Sequence, residues 1–410
     1  MQLRTIVNKI FIVAFIVWVS FFPEPIQEKY HLATKVFLVL MFAMLLIKKQ
    51  TSIFKLNDLP FWFFLTAIGI NVFFAQNRNI AFKTYFDLVI PLFSIYYWIS
   101  EVISDEINLR FLTKIFSIFS ILVSLGGFLE FLFAVNPIYK YFIQNPYYER
   151  YIVRIVRPMS TQFNPVTLGT YLLASLPFNF LLLKQDKGLF KSLGTIGMIL
   201  NTVVIILTFS RGVLLGLLAS IVAYLFLQKK YRLLVIFFLI LFISITVCSF
   251  LPYPFSRFSV NWLGTQNRGI LSDYRFDRCI MALRIIRTHP FVGLGLQHFR
   301  IRFYEYYPRK NVVHYEFMIA DNMYLTILSE TGIIGFCGFL IFIFYFLKRS
   351  LFQLKQLNNV PFKKGQLLVI VSAFVGLLVN MGAYELFYWS NQYICFCILI
   401  GCLRGFLQCL

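Results

Sequence analysis

The chain has 410 residues, of which 59% are hydrophobic and 13% charged, with 50 phenylalanines and a mean hydropathy of +0.76. No soluble core buries that much apolar surface, so lipid is the solvent for most of the chain and a soluble globular domain is excluded. The formal charge of +21 does not mark a nucleic-acid binder, because the basic residues lie mainly between apolar runs, where they anchor spans at a membrane surface.

A helix needs about 20 apolar residues to cross the hydrocarbon. Twelve runs qualify, at approximately 8–23, 32–47, 59–75, 84–100, 112–134, 165–183, 193–209, 212–228, 232–251, 320–347, 366–384 and 390–408. The first, "IFIVAFIVWVSFFPEPIQEKYH", lacks a small-residue cleavage site and reads as a retained span. Alternate connectors are "KKQTSIFK", "SDEINLRFLTK", "KQDKGLFK", "QKKYR" and "LKRSLFQLKQLNNVPFKK"; such short, basic loops belong on the cytoplasmic side. With Arg4, Lys9 and Arg404 near the ends, both termini are expected in the cytoplasm of a multi-pass inner-membrane protein. Nothing divides the chain, so residues 1–410 read as one polytopic domain. A smaller outer loop is expected at 135–164 and a large one at 252–319. Cys395 and Cys397 lie two apart in the last run and face different ways on a helix, so no metal pair is expected there.

Arg211, in "LTFSRGVLLG", falls at the outer interface in a turn too short for a loop of its own. The large outer loop holds nine arginines (257, 268, 275, 278, 284, 287, 300, 302 and 309) and Lys310, against Asp273, Asp277, Glu305 and Glu316. Long loops translocate despite such charge. The excess of arginine over lysine suits bidentate contact with phosphate oxygens; an amphipathic helix resting on anionic headgroups is the plainer reading. Within the loop, "RFDRCIMALRIIRTHP" has helical period, with Phe276, Ile280, Leu283 and Ile286 or Arg287 at spacings of three and four and Pro290 closing the run. Gly293 and Gly295 follow, allowing a tight turn and close backbone approach. Asp321 and Asn322 open the tenth span; Asp321 there is either its N-cap or a functional acid. Glu330, about 13 Å deeper by helical rise, is a carboxylate at membrane depth, which is functional by default or else paired with a buried arginine. Gly332, Gly335 and Gly338 are expected to admit a neighbouring helix.

"SRG", then "YRFDRCIMALRIIRTHPFVGLGLQHF", then "DNMYLTILSETGIIG", together resemble the O-antigen ligase and O-antigen polymerase superfamily. "RPMSTQFNPVTLGTYL" is similar to a further segment of that family, with Arg157, Phe163 and Pro165 matching. The resemblance covers roughly 157–345. It implies an all-α, polytopic, GT-C-like glycosyltransferase of about twelve transmembrane helices, with a large helical outer loop between the ninth and tenth spans. It also implies a metal- and cofactor-independent, inverting enzyme that moves a glycan from an undecaprenyl-pyrophosphate carrier to a glycan or lipid A-core acceptor. Arg211 and Arg275 would face the pyrophosphate. Asp321 takes the place where ligases carry the histidine of a His-Asn pair, and Asp-Asn looks more like polymerase-type members; Cys279 replaces an aromatic.

Cleaving a sugar C1–phosphate bond puts negative charge on the leaving pyrophosphate, which fixed guanidinium groups stabilise. The acceptor hydroxyl needs a base, for which Asp321 is the first candidate and His314 the rival. Arg157, Arg278, Arg300, His314, Asn322 and Glu330 complete the expected substrate-binding set. A structural salt bridge from Arg211 to Glu330 or Asp321 is the alternative to a pyrophosphate contact. A lipid-linked glycan flippase would show repeats and midplane charges, whereas here the ionisable residues gather at the outer interface.

Overall fold

The computed structural model describes residues 2–21, 58–142, 156–162, 164–250, 274–307 and 319–408. Thirteen α-helices are described: α1 (Gln2–Phe21), α2 (Leu59–Phe74), α3 (Arg78–Ser104), α4 (Glu106–Phe133), α5 (Pro165–Gln185), α6 (Leu189–Leu207), α7 (Arg211–Leu227), α8 (Tyr231–Phe250), α9 (Tyr274–Thr288), α10 (His298–Tyr306), α11 (Met323–Gln356), α12 (Pro361–Met381) and α13 (Ser390–Gln408). No strand occurs among the described residues. Among the described residues, eight helices are long and apolar enough to cross a membrane, and α1, α2 and α7 supply shorter apolar helices. These eleven coincide with eleven of the twelve expected spans. The run at 32–47 lies outside the described residues, as do most of 135–164 and 252–319.

Lipid offers no hydrophobic drive for helices to meet, so close packing and polar side chains hold the bundle. Where α7 runs along α12, Gly216 and Gly376 bring the backbones together: a Cβ on Gly216 would stand 2.7 Å from the Gly376 carbonyl oxygen. Between α4, α5 and α6, the Asn201 amide donates to Ser120 (3.3 Å) and Ser175 (2.9 Å), and the Ser124 hydroxyl donates to Asn201 Oδ1 (2.5 Å). α8, by contrast, buries none of its described side chains.

The short connectors sort the bundle into two ends. One end has the turns at 105, 186–188, 228–230 and 357–360, together with Asp58 at the start of α2 and Arg404 late in α13. There Arg404 forks onto Asp58, Nε to Oδ1 at 2.8 Å and Nη2 to Oδ2 at 2.7 Å. The guanidinium lies over the rings of Tyr97 (4.2 Å) and Tyr96 (5.0 Å) and donates to Ser100 (2.9 Å). Arg404 therefore serves as a buried partner, with Asp58 neutralising the charge counted above toward orientation. The other end gathers the turns at 75–77, 208–210 and 382–389 with the short helices α9 and α10.

α9 and α10 have a small core of their own: Met281, Ala282, Ile285, Leu294, Phe299, Phe303 and Ala320. The helix expected from the periodicity of this run forms as α9. Phe276 and Leu283 are exposed, while Asp277, Arg278, Met281, Ala282 and Ile285 point inward. The apolar stripe is present, but the turn at 293–296 and the start of α11 draw the neighbouring face down instead.

Candidate active site

The Gly-Leu-Gly turn is built into a break in α11. At Gly332 the helix departs from helical geometry (φ 64°, ψ −169°), and the chain of residues 290–295 pairs with the exposed backbone. Leu294 N donates to Ser329 O (3.0 Å), Gly295 N to Glu330 O (3.0 Å), Ile333 N to Pro290 O (2.9 Å) and Ile334 N to Phe291 O (3.2 Å). Both glycines are forced. A Cβ on Gly293 would lie 2.3 Å from the Glu330 carbonyl, one on Gly332 2.3 Å from the Phe291 carbonyl, and both residues have positive φ. The expected close approach at Gly293 is thus made to backbone. Gly338 packs as expected, against Ala67 of α2, while Gly332 receives the turn instead of a helix.

Asn71 of α2 locks this junction. Its amide nitrogen donates to the carbonyls of Val292 and Glu330, the latter at 2.7 Å, and its Oδ1 accepts from Leu296 N (2.9 Å). His298 is buried, with Nε2 accepting from Asn77 N (3.0 Å) and Nδ1 facing Leu296 O (2.9 Å). That arrangement puts the ring proton on Nδ1. His289 is a turn residue beside Thr288. Burial and then the neighbouring Arg302 charge lower its pKa below the ordinary histidine value, with Glu305 opposing.

Glu330 is almost wholly buried. Its Oε1 accepts from Phe299 N (3.1 Å) in the first turn of α10, satisfying one of the N–H groups that a helix leaves free there. Its Oε2 accepts from the Tyr388 hydroxyl. Burial and then the Glu330 charge push the Tyr388 phenol well above its usual value, so Tyr388 acts as the donor. Of the two readings of this carboxyl, a buried arginine partner is not what holds it; a tyrosine and a helix N-terminus do.

Asp321 and Asn322 divide their work. Asn322 is the N-cap of α11, its side chain accepting from Tyr324 N (3.0 Å) and Leu325 N (3.2 Å). Asp321 sits before it in the left-handed region (φ 52°), which aspartate tolerates better than most residues. Its carboxylate pairs with Arg278 of α9, and both side chains are largely shielded. The cap reading therefore falls to the neighbour.

Arg300 of α10 pairs with Glu385 (3.0 Å), which also accepts from Thr326 (2.9 Å). Arg157 donates from Nε to Thr208 O (2.8 Å) at the end of α6. Its segment is held from α4 by Glu130, which accepts from Met159 N (2.9 Å) and Ser160 N (2.7 Å). Phe209 (φ 49°) turns the chain, and Arg211 opens α7 behind the N-cap Ser210. The next residue, Gly212, lies against Ala383. The 382–389 connector thereby joins both halves of the cluster, with Ala383 at the start of α7, the Tyr384 hydroxyl accepting from Asn164 (3.2 Å), Glu385 at Arg300 and Tyr388 at Glu330.

Arg157, Arg211, Arg278, Arg300, Asp321, Asn322 and Glu330 therefore share one end of the bundle. Arg275 is in the first turn of α9, and its side chain lies outside the described set, as do His314 and Phe163. Asn71, Glu130, Glu385 and Tyr388 were not anticipated. The signal available for Glu385 was a single acid in an otherwise apolar and aromatic connector, "GAYELFYW".

A family model described as O-antigen ligase matches residues 196–340, from within α6 to the middle of α11. This match supports the O-antigen ligase/polymerase superfamily, in line with the motif resemblance. No curated protein matches the chain.

Proposed function

We propose, from that family match, that the chain is a membrane glycosyltransferase that moves a glycan from an undecaprenyl-pyrophosphate carrier to an acceptor, most simply as a surface-polysaccharide polymerase. The reading places both termini in the cytoplasm and the reaction at the outer face of the cytoplasmic membrane, in one polytopic domain whose 135–164 and 252–319 segments border the site. It draws its support from one observation: Asn322 takes over the capping of α11, and Asp321 is left with its carboxylate turned to Arg278 at the arginine-rich end.

In the proposed step an acceptor hydroxyl attacks C1 of the donor sugar. The C1–oxygen bond to pyrophosphate breaks, its electron pair leaves with the pyrophosphate, and the hydroxyl proton passes to Asp321. Attack opposite the leaving group inverts C1. Arg211 and Arg275 stabilise the departing charge, with Arg157 and Arg300 on the same side of the bundle. Arg278 orients the Asp321 carboxylate, whose value as a base comes from that orientation. Asn322 shapes the acceptor side through the helix it caps, and Glu330 carries α10 and Arg300 with it. His314 is the reserve base.

The Asp-Asn pair favours polymerase, and the description of the matching family favours a ligase acting on lipid A-core. The test is the species that accumulates on removing the protein, followed by transfer with purified donor and acceptor. A polymerase leaves single lipid-linked repeats, and a ligase leaves full-length glycan on the lipid carrier. Donor that crosses vesicle membranes with no glycosidic bond formed would replace both readings with a flippase.

A further inference from the structure

The connector between α12 and α13 contains one acid, Glu385, which the glycan-transfer reading above does not use. Its side chain is fully buried, and its two oxygens are divided between Arg300 Nη2 at 3.0 Å and the Thr326 hydroxyl at 2.9 Å. The Arg300 guanidinium also lies over the Tyr388 ring, 5.0 Å from its centroid, and the hydroxyl of that ring is tied to Glu330. The guanidinium is thus held along one edge and one face. An arginine–carboxylate pair is often bidentate, through two parallel N–H groups. Arg300 makes a single such bond, its Nε is shielded from solvent with no acceptor, and its side chain is 26% exposed. A buried donor left without an acceptor is costly, so this edge of the guanidinium is one that a bound oxygen would complete. Burial works against the Arg300 charge, but Glu385 more than offsets it and the pKa lies above the ordinary arginine value. Arg278 has the same form: one bond to Asp321 and a shielded Nε without an acceptor.

We propose that Glu385 is a positioning residue that holds Arg300 with its remaining N–H groups turned toward the pyrophosphate oxygens of the lipid-linked donor. The proposal rests on the glycan-transfer reading. Arg300 arrives on the outer helix α10 while Glu385 comes from the bundle, so the pair also registers the outer helices against the spans. The competing account is a latch, in which the pair only ties α10 to the connector. A latch works equally well with its charges exchanged, but a phosphate site does not.

The experiment uses the full chain in nanodiscs, with binding of undecaprenyl pyrophosphate measured directly and KM for the lipid-linked donor measured in the transfer assay. Glu385→Gln keeps the size and the Thr326 contact but loosens Arg300. The expected result is a rise in donor KM and pyrophosphate Kd of about tenfold, the scale of one charged hydrogen bond, with acceptor KM unchanged. The exchange Arg300→Glu with Glu385→Arg should regain the thermal stability and not the donor affinity. Should Glu385→Gln fail to fold, Arg300→Lys, which keeps the ion pair and loses Nε, should show the same donor-side defect. An unchanged donor KM in Glu385→Gln, or an exchanged pair that restores both stability and affinity, overturns the proposal alone. Wild-type protein that binds no undecaprenyl pyrophosphate overturns the transfer reading and the proposal with it.

Discussion

Replacing Gly293 with alanine tests the junction on which the site is built. A Cβ there meets the Glu330 carbonyl carbon and oxygen at 2.3 Å and the Thr331 nitrogen at 2.5 Å, all backbone atoms that cannot swing aside. The residue also has φ +71°, which costs an L-residue about 1–2 kcal/mol. If the turn lifts away, the bonds from Leu294 N, Gly295 N, Ile333 N and Ile334 N are lost. At about 1 kcal/mol each, those four add about 4 kcal/mol, so the local cost approaches 5–6 kcal/mol. Gly188 supplies the control. Its φ is +59° and nothing lies within 4 Å of where an alanine methyl would stand, so Gly188→Ala should cost only the backbone strain. Hydrogen–deuterium exchange of the 290–296 and 329–334 amides in detergent reads the difference. Gly293→Ala should lose protection there by about 10³-fold or more, since 1.4 kcal/mol is a factor of ten, and transfer should fall with it. Gly188→Ala should leave both segments protected. Equal, small effects from the two variants would mean that the turn is not inserted into α11, and the site would lose its framework.

Asp321→Asn should lower transfer by about 10²-fold or more, the scale of a general base, and well beyond Arg278→Gln; equal losses in the two variants would make the pair structural. Asn322→Ala, which removes the α11 cap, should cost about 1 kcal/mol of stability, measured as a fall in melting temperature, with a smaller loss of transfer than Asp321→Asn. Arg211→Lys keeps the charge and loses the fork, so transfer should fall severely while the protein still accumulates in the membrane; near-normal glycan products would return Arg211 to a structural part. In a cysteine-free background, single cysteines near Lys229 and Gln356 should be shielded from an impermeant thiol reagent in intact cells while one near Asn311 labels. The opposite pattern would reverse the orientation.

The spans were legible because one variable, apolar length, decides whether a helix can cross lipid, and α3 to α6 and α11 to α13 fall where that variable puts them. The glycines Gly293 and Gly332 announced a close approach, but not to each other's segments. Their pairing joins stretches some 40 residues apart, and no local pattern encodes it. The Asp321–Asn322 pair shows a different limit. Aspartate and asparagine cap about equally well, so only the backbone turn at Asp321 reveals which of them is the cap. In α9 the stripe of Phe276 and Leu283 has helical period yet stays exposed, because helix periodicity identifies apolar faces without stating which one finds a partner. Glu385 and Tyr388 had no motif around them and acquire meaning only from Arg300 and Glu330, which approach them from elsewhere in the chain.

The fork between Asp58 and Arg404 has a consequence for how the chain is made. Asp58 stands at the start of α2, and its partner is synthesised 346 residues later, in α13. Until α13 enters the membrane, that carboxylate and the hydroxyls of Tyr96 and Tyr97 lack the Arg404 guanidinium they close around. Removing one member of a buried pair typically costs about 3–5 kcal/mol, so a nascent bundle lacking α13 is destabilised at the end opposite the site. Quality control that recognises unpaired charge in a membrane would therefore read the arrival of Arg404 as the closing of that end.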